Sequence, residues 1–273
     1  TKSEQDELDN HRDNESFVRI NRSEFERTGR KLVKTVWVYK VKRNGKLKSR
    51  LCVQGCSQIP GVDYDQTHCS SMRAPTLRLL SSVAAKLDLK MRRWDFVAAY
   101  LQGELLEGEV VYCHAPPGHP SIGGDGREQI LKVVKPIYGM AQAGRRWQRT
   151  LYPWMEEWCA KSEHFADASF TRLFADSNVF ICKRTVKTPT ESRQEYLILG
   201  VYVDDCFILY SHDDKYSLYH HFTKDLSARW NVDDEGPVSD LLGVEISSAD
   251  GIVELKQTAY IEKLTSTWFP DGV

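Results

Sequence analysis

The sequence has no apolar run approaching the ~20 residues that a membrane-spanning helix requires. Its opening stretch (TKSEQDELDNHRDNE) is polar and mostly acidic, without the apolar core of a secretory signal. The expectation is an intracellular protein with no membrane partner. A disulfide framework is missing too, since seven cysteines, an odd number spread over the whole length, fit reduced thiols better. Cys52, Cys56, His68 and Cys69 lie close together but lack the paired spacing of a zinc site, and neither His164 nor the His220-His221 pair has a third partner nearby. Neither G-x-G-x-x-G nor G-x4-G-K-[ST] occurs, which argues against the common nucleotide-binding α/β folds. Charge of one sign is not in excess either: the formal net charge is −1, so no global basicity points to nucleic acid.

What is present belongs to a globular chain. With 273 residues, 41% hydrophobic and 27% charged, it can bury a large core as one big domain or two lobes. Its charge is unevenly spread. Residues 1–26 are acid-rich, whereas Arg30 to Arg50 carries nine Lys and Arg with no Asp or Glu. Within that basic stretch, residues 36–53 (VWVYKVKRNGKLKSRLCV) read as two strands joined at Asn44-Gly45, a strong signal for a two-residue hairpin turn. That register pairs Arg43 with Lys46, Val41 with Lys48 and Tyr39 with Arg50. One face would then carry Trp37, Tyr39, Arg43, Lys46, Lys48 and Arg50, and the other Val36, Val38, Leu47, Leu51 and Val53. A basic, aromatic ribbon of this kind can hold phosphates and stack bases.

Further along, Pro75 to Lys86 has helical apolar spacing with proline at the favoured first position. Leu87, Leu89 and Met91 alternate toward Trp94-Asp95, predicting a strand that delivers Asp95 before a short helix (FVAAYLQ) that stops at Gly103. Another strand is expected over Ile130–Val134, and a helical stretch over Gly139–Trp158, interrupted at Gly144 and Pro153. A strand over Ser177–Lys183 and a polar loop, 184–194, precede Tyr196–Tyr210 (YLILGVYVDDCFILY), two apolar strands around Asp204-Asp205. A second hairpin is expected at Asp250-Gly251, then an amphipathic helix over Gln257–Trp268. The fold class is α+β with an antiparallel sheet.

Two adjacent aspartates between apolar strands are by default a turn, because Asp hydrogen-bonds locally there. This hairpin lacks the usual glycine, however, and carboxylates crowded on an apolar sheet repel one another unless a cation neutralises them. A divalent metal would do so, and two such ions can stabilise both the attacking and the leaving oxygen in nucleotidyl transfer. Asp95, from another strand, is placed as a third ligand; its alternative role is a helix N-cap.

The ordered series KSRLCVQGCSQIPGVDYDQT, RRWDFVAAYLQGEL, IYGMAQAGRRW, VYVDDCFIL and LLGVEI resembles the motif series of copia-type retrotransposon reverse transcriptases, from about residue 31 to the C-terminus. The resemblance implies a right-hand polymerase fold: an acidic N-terminal extension (1–30), interleaved fingers and palm (31–248), and the start of a truncated thumb (249–273). It implies an RNA-directed DNA polymerase using two Mg²⁺ ions, with Mn²⁺ able to substitute, held by Asp95, Asp204 and Asp205. Lys48 and Arg50 match residues that hold the incoming triphosphate. Tyr100 matches the gate against a ribose 2′-hydroxyl, where members more often have Phe, and Gln142 a nucleotide-contacting glutamine. Leu242-Gly243-Val244 matches the primer-positioning turn. The implied partners are an RNA or DNA template with primer, deoxynucleoside triphosphates and other parts of a retrotransposon polyprotein. The implied location is a cytoplasmic virus-like particle and the nucleus. Gly144 stands where the family usually has Pro, and Ser70-Ser71-Met72 where it has Ser-Pro-Val. The competing expectation is a decayed or domesticated fragment that only binds nucleic acid.

Overall fold

A computed structural model describes residues 1–41, 45–162, 164–165, 168–187 and 192–270. The chain forms two compact units, each assembled from two segments: Thr1–Cys69 with Ala98–Pro153, and Ser70–Val97 with Trp154–Val273. The architecture is mixed α and β, as the sequence patterns predict.

The first unit opens with α1 (Lys2–Asp13), whose start is secured by a reciprocal capping box between Thr1 and Glu4. β1 (Phe17–Ile20), α2 (Arg22–Glu26) and β2 (Leu32–Val33) follow, then a hairpin of β3 (Thr35–Val41) and β4 (Leu47–Val53). The acidic start of the chain is thus built into the unit. On α1, the Glu7 carboxylate accepts the Leu51 backbone N–H at 3.1 Å, Ser3 and Ser49 hydroxyls meet at 2.6 Å, and Glu4 accepts from the Tyr39 hydroxyl at 2.7 Å. The Glu7 contact satisfies a backbone N–H on the edge of β4 that β3 leaves unpaired, where open N–H groups would otherwise invite another strand.

The hairpin itself exists, but its register corrects the expected one. Val41 pairs with Leu47, Lys40 with Lys48, Tyr39 with Ser49, Val38 with Arg50 and Trp37 with Leu51. The expected partners are each displaced by one residue, which moves side chains to the opposite face. Lys48 and Arg50 therefore share a face with Val38 and Lys40, while Trp37 and Tyr39 share theirs with the buried Ser49 and Leu51. The single basic, aromatic face does not form. Val41 opposite Leu47 encloses an odd number of residues, which a two-residue turn cannot do, and Gly45 has a φ of +77°. Longer hairpin loops commonly place a glycine in that left-handed region. Lys42, Arg43 and Asn44, to which the turn and the Arg43–Lys46 pairing were assigned, lie outside the described residues.

The chain next enters the second unit through α3 (Ala74–Leu87) and β5 (Lys90–Phe96), then returns to the first for β6 (Val111–Cys113), β7 (Ile130–Val133) and α4 (Ala143–Lys161). A four-stranded sheet ordered β1-β7-β6-β2 takes a strand from residues 1–30. Its apolar core includes Val33, Leu101, Val111, Val133 and Ile137. Neither Gly144 nor Pro153 breaks α4, and the boundary between the units falls just after Pro153.

The second unit continues with β8 (Phe170–Arg172), β9 (Val179–Lys187), β10 (Ser192–Tyr202), β11 (Asp205–Tyr210), α5 (Leu218–Arg229) and β12 (Val232–Pro237). A six-stranded antiparallel sheet ordered β12-β5-β11-β10-β9-β8 forms its centre. The polar segment predicted as a loop largely extends the β9 and β10 strands. Strand alternation assigns the sheet's two faces. Met91, Phe207 and Leu209 join Leu77, Leu80 and Ala84 of α3 in one core. On the other face Tyr210 stacks on Tyr219 of α5 with ring centroids 3.7 Å apart, and Phe96 meets Trp230 edge-on. Each fully buried large apolar side chain contributes about 1.5–3 kcal/mol, so this doubly covered sheet is a rigid platform. The last elements are β13 (Asp240–Leu241), β14 (Val244–Ala249), β15 (Ile252–Lys256) and α6 (Thr258–Trp268). Ala249 pairs with Ile252 around Asp250-Gly251, the expected hairpin. The three short strands form one sheet, so β14 runs across the expected boundary at residue 248.

Candidate active site

The three predicted carboxylates come together in the second unit through strand register. β10 and β11 pair as far as Tyr202 opposite Asp205, leaving Val203-Asp204 as a two-residue turn. Val203 takes a φ of +59°, a left-handed conformation that a β-branched residue adopts only under strain. β11 also pairs with β5, with Asp205 directly opposite Asp95, and the Phe96 N–H donates to the Asp204 carbonyl at 2.8 Å. Asp95 thus lies inside a strand rather than at a helix cap, and Asp233 of β12 faces it from the other side.

The electrostatics show an acidic centre that is not fully neutralised. Burial first, then the nearby carboxylates of Asp204, Asp205 and Glu235, push the Asp95 carboxyl up to about 6, with Arg93 opposing. Burial likewise raises Asp205 against the pull of Arg93. Hard oxygen donors with excess negative charge suit Mg²⁺ or Mn²⁺, and Mg²⁺ commonly takes only one or two carboxylates together with substrate phosphates. Asp95, Asp204 and Asp205 supply donors of that chemical type. Their arrangement stops short of a closed cage: among the described residues, no group of three His, Cys, Asp or Glu side chains converges as ligands.

Three of the predicted nucleotide-binding residues, Arg50, Tyr100 and Gln142, can be followed in detail in the first unit. The Arg50 guanidinium lies over the Tyr138 ring, 4.7 Å from its centroid, and Tyr138 packs against Tyr100 at 5.1 Å. The Nε of Arg50 is buried without a hydrogen-bond partner. Glycines hold this cluster: a Cβ on Gly139 would stand 2.1 Å from the Val53 carbonyl oxygen, so only glycine lets the Tyr138 turn approach β4, where Val53 N–H donates to the Tyr138 carbonyl. Lys48, half-buried, lies on the Arg50 face of β4. Gln142 makes different contacts. Fully buried, its amide accepts from Gln58 at 3.1 Å and donates to the Asp63 carbonyl at 3.1 Å.

In the second unit, Leu242-Gly243 forms the two-residue turn between β13 and β14, with φ of +54° and +74°. Positive φ at both positions is the mark of a tight type I′ hairpin.

A family model described as "Reverse transcriptase (RNA-dependent DNA polymerase)" matches residues 25–268. The chain belongs to the reverse transcriptase family. Among curated relatives, the retrovirus-related Pol polyprotein from transposon TNT 1-94 of Nicotiana tabacum is 30% identical over 243 residues, covering 86% of this chain and 16% of the relative. The corresponding polyproteins from transposons RE1 and RE2 of Arabidopsis thaliana are 28% and 27% identical, each over 82% of this chain. The copia-type resemblance read from the motifs therefore stands. The chain spans only 14% to 16% of the length of these relatives.

Two departures from the usual family motifs can be followed in the structure. A Cβ at Gly144 would lie 2.7 Å from Sγ of the exposed Cys69, so a larger residue there requires that side chain to turn away. The buried Met72 fills the space over Gly200, where a Cβ would meet its sulfur at 2.5 Å. Sequence reasoning missed Tyr138, Arg93, Glu235 and Asp240. Arg93 was within reach, because a residue two before Asp95 on a strand shares its face. The others depend on long-range register.

Proposed function

We propose that this chain is the RNA-directed DNA polymerase core of a copia-type retrotransposon polyprotein, adding deoxynucleotides to a primer 3′ end by two-metal nucleotidyl transfer. The observation that carries this is the placement of Asp95 opposite Asp205, beside the Val203-Asp204 turn, in a chain of this family. In this assignment the first unit serves as fingers and the second as palm, with β13–β15 and α6 leading into the thumb.

Asp95, Asp204 and Asp205 would hold the ions. When bound, these supply positive charge to the attacking 3′-hydroxyl oxygen and to the leaving pyrophosphate. The chain's own residues position the reactants. Lys48 and Arg50 donate to the triphosphate, for which the Arg50 guanidinium, held over the Tyr138 ring, is suited. Tyr100, steadied by Tyr138, serves as the wall against a 2′-hydroxyl. Gln142 contributes by holding the 58–63 loop, since its amide is already committed to Gln58 and Asp63. The Leu242-Gly243-Val244 turn supports the primer end.

The alternative, a chain that only binds nucleic acid, draws on Lys40, Lys48 and Arg50 along one face of the β3–β4 hairpin. One assay separates the two. On a primed RNA template with Mg²⁺, the polymerase reading expects deoxynucleotide incorporation and little ribonucleotide incorporation, with Tyr100→Ala relaxing the preference. Equal use of both nucleotides contradicts the assigned gate. Binding of the primed template without incorporation of either favours the binder.

A further inference from the structure

Arg93 precedes Asp95 by two residues on β5, so the strand's pleat presents both on one face. Its Nε and one Nη donate to the same oxygen, Oδ1 of Asp205, at 2.8 and 2.7 Å. The Nε also lies 3.1 Å from Glu235 Oε2, and the remaining Nη 3.1 Å from Asp240 Oδ1. Carboxylates from three elements, β11, β12 and β13, therefore meet on one guanidinium. The Arg93 and Asp205 side chains are 24% and 19% exposed, which leaves their attraction less screened than that of a surface pair.

This contact occupies an oxygen that a cation would use and puts a positive charge beside the place where one would bind. It also gives a physical reason why the three aspartates do not converge as ligands. We propose that Arg93 is a built-in counter-ion that occupies Asp205 until a divalent cation displaces it, and that it thereby sets the metal affinity of the site. Glu235 and Asp240 complete the device. A guanidinium released by Asp205 stays paired on β12 and β13, so displacement needs a small side-chain shift and leaves no charge stranded. The inference rests on the assignment of Asp95, Asp204 and Asp205 as metal ligands.

The test is direct binding of Mn²⁺, followed by electron paramagnetic resonance without nucleotide or template, for the parent, Arg93→Gln and Arg93→Lys. Removing the competing charge should tighten binding about tenfold, the ratio that ~1.4 kcal/mol carries, while the lysine variant, which keeps the charge, stays near the parent. A folded Arg93→Gln protein that binds Mn²⁺ no tighter than the parent overturns the proposal. Where that variant does not fold without a cation, millimolar Mn²⁺ should restore its circular dichroism, because the ion takes over the neutralising role. A chain unfolded with and without Mn²⁺ contradicts it. Failure of the parent itself to bind Mn²⁺ sinks the underlying metal-site assignment, whereas parental binding that Arg93→Gln leaves unchanged sinks only the role of Arg93.

Discussion

The two hairpins that carry predicted site residues, β3–β4 and β10–β11, differ in what enforces their register. On β11 every residue from Cys206 to Tyr210 is buried, with α3 packed on one face of the sheet and α5 on the other. On the β3–β4 hairpin the end is open, Val41 and Leu47 being 63% and 62% exposed. A slip of one residue in the buried hairpin would exchange Phe207 and Leu209, packed with α3, for the side chains packed toward α5, and would take Asp205 away from Asp95. In the open hairpin the same slip costs little near the tip, so the loop and the α1 contacts at its base decide. The carboxylate site is therefore anchored by a core along the whole of β11, whereas the cationic hairpin is buried at its base, at Leu51 and Val53, and open toward its end.

Substitutions can break this contrast, and the core side should yield the largest effect. Phe207→Ala removes a fully buried ring beside the acidic turn and is expected to cost about 3–5 kcal/mol, read as a fall in the denaturant midpoint. Glu7→Ala strips the acceptor from the Leu51 N–H and should cost about 1–3 kcal/mol. Faster hydrogen exchange at Leu51, with the β11 amides unaffected, would mark the loss as local to the cationic hairpin.

A pH experiment addresses the acidic site alone. The Asp95 carboxyl, pushed up to about 6 by burial and then by Asp204, Asp205 and Glu235, holds a proton more tightly folded than unfolded. The cation-free fold therefore loses stability from this group as pH rises from the ordinary carboxylate range toward 6. A cation must displace that proton, so Mn²⁺ affinity should weaken as pH falls below about 6, approaching a tenfold loss per unit. Affinity that stays flat from pH 7 to 5 would rule this out. The smallest effect belongs at the open hairpin's end, where Leu47→Ala should change stability by less than ~0.5 kcal/mol. A loss comparable to that at Phe207 would erase the distinction between the hairpins.

The same contrast explains what the sequence disclosed. The Tyr196–Tyr210 hairpin was legible because uninterrupted apolar residues flank a pair of aspartates, and that pattern has few other solutions. Asp95 was legible from alternation leading into Trp94. Between β3 and β4 the observed register differs by one residue from the one that the Asn44-Gly45 signal suggested, and local turn chemistry carries no information on the α1 contacts with Ser49 and Leu51 that accompany it. Residues 1–30 read as an acidic extension since their strand, β1, finds its partner more than a hundred residues later, in β7. The inward-turned amide of Gln142 and the grip of Arg93 on Asp205 were equally hidden, each depending on partners brought in by tertiary structure.

The central claim is that the acidic turn of the buried hairpin is a polymerase centre, and the most direct measurement is primer extension on an RNA template in Mg²⁺ by the parent and by Asp204→Asn. The account predicts extension with deoxynucleotides by the parent and a loss of about a thousandfold or more in the variant, with circular dichroism and template binding unchanged. Extension by Asp204→Asn at the parental rate would contradict it.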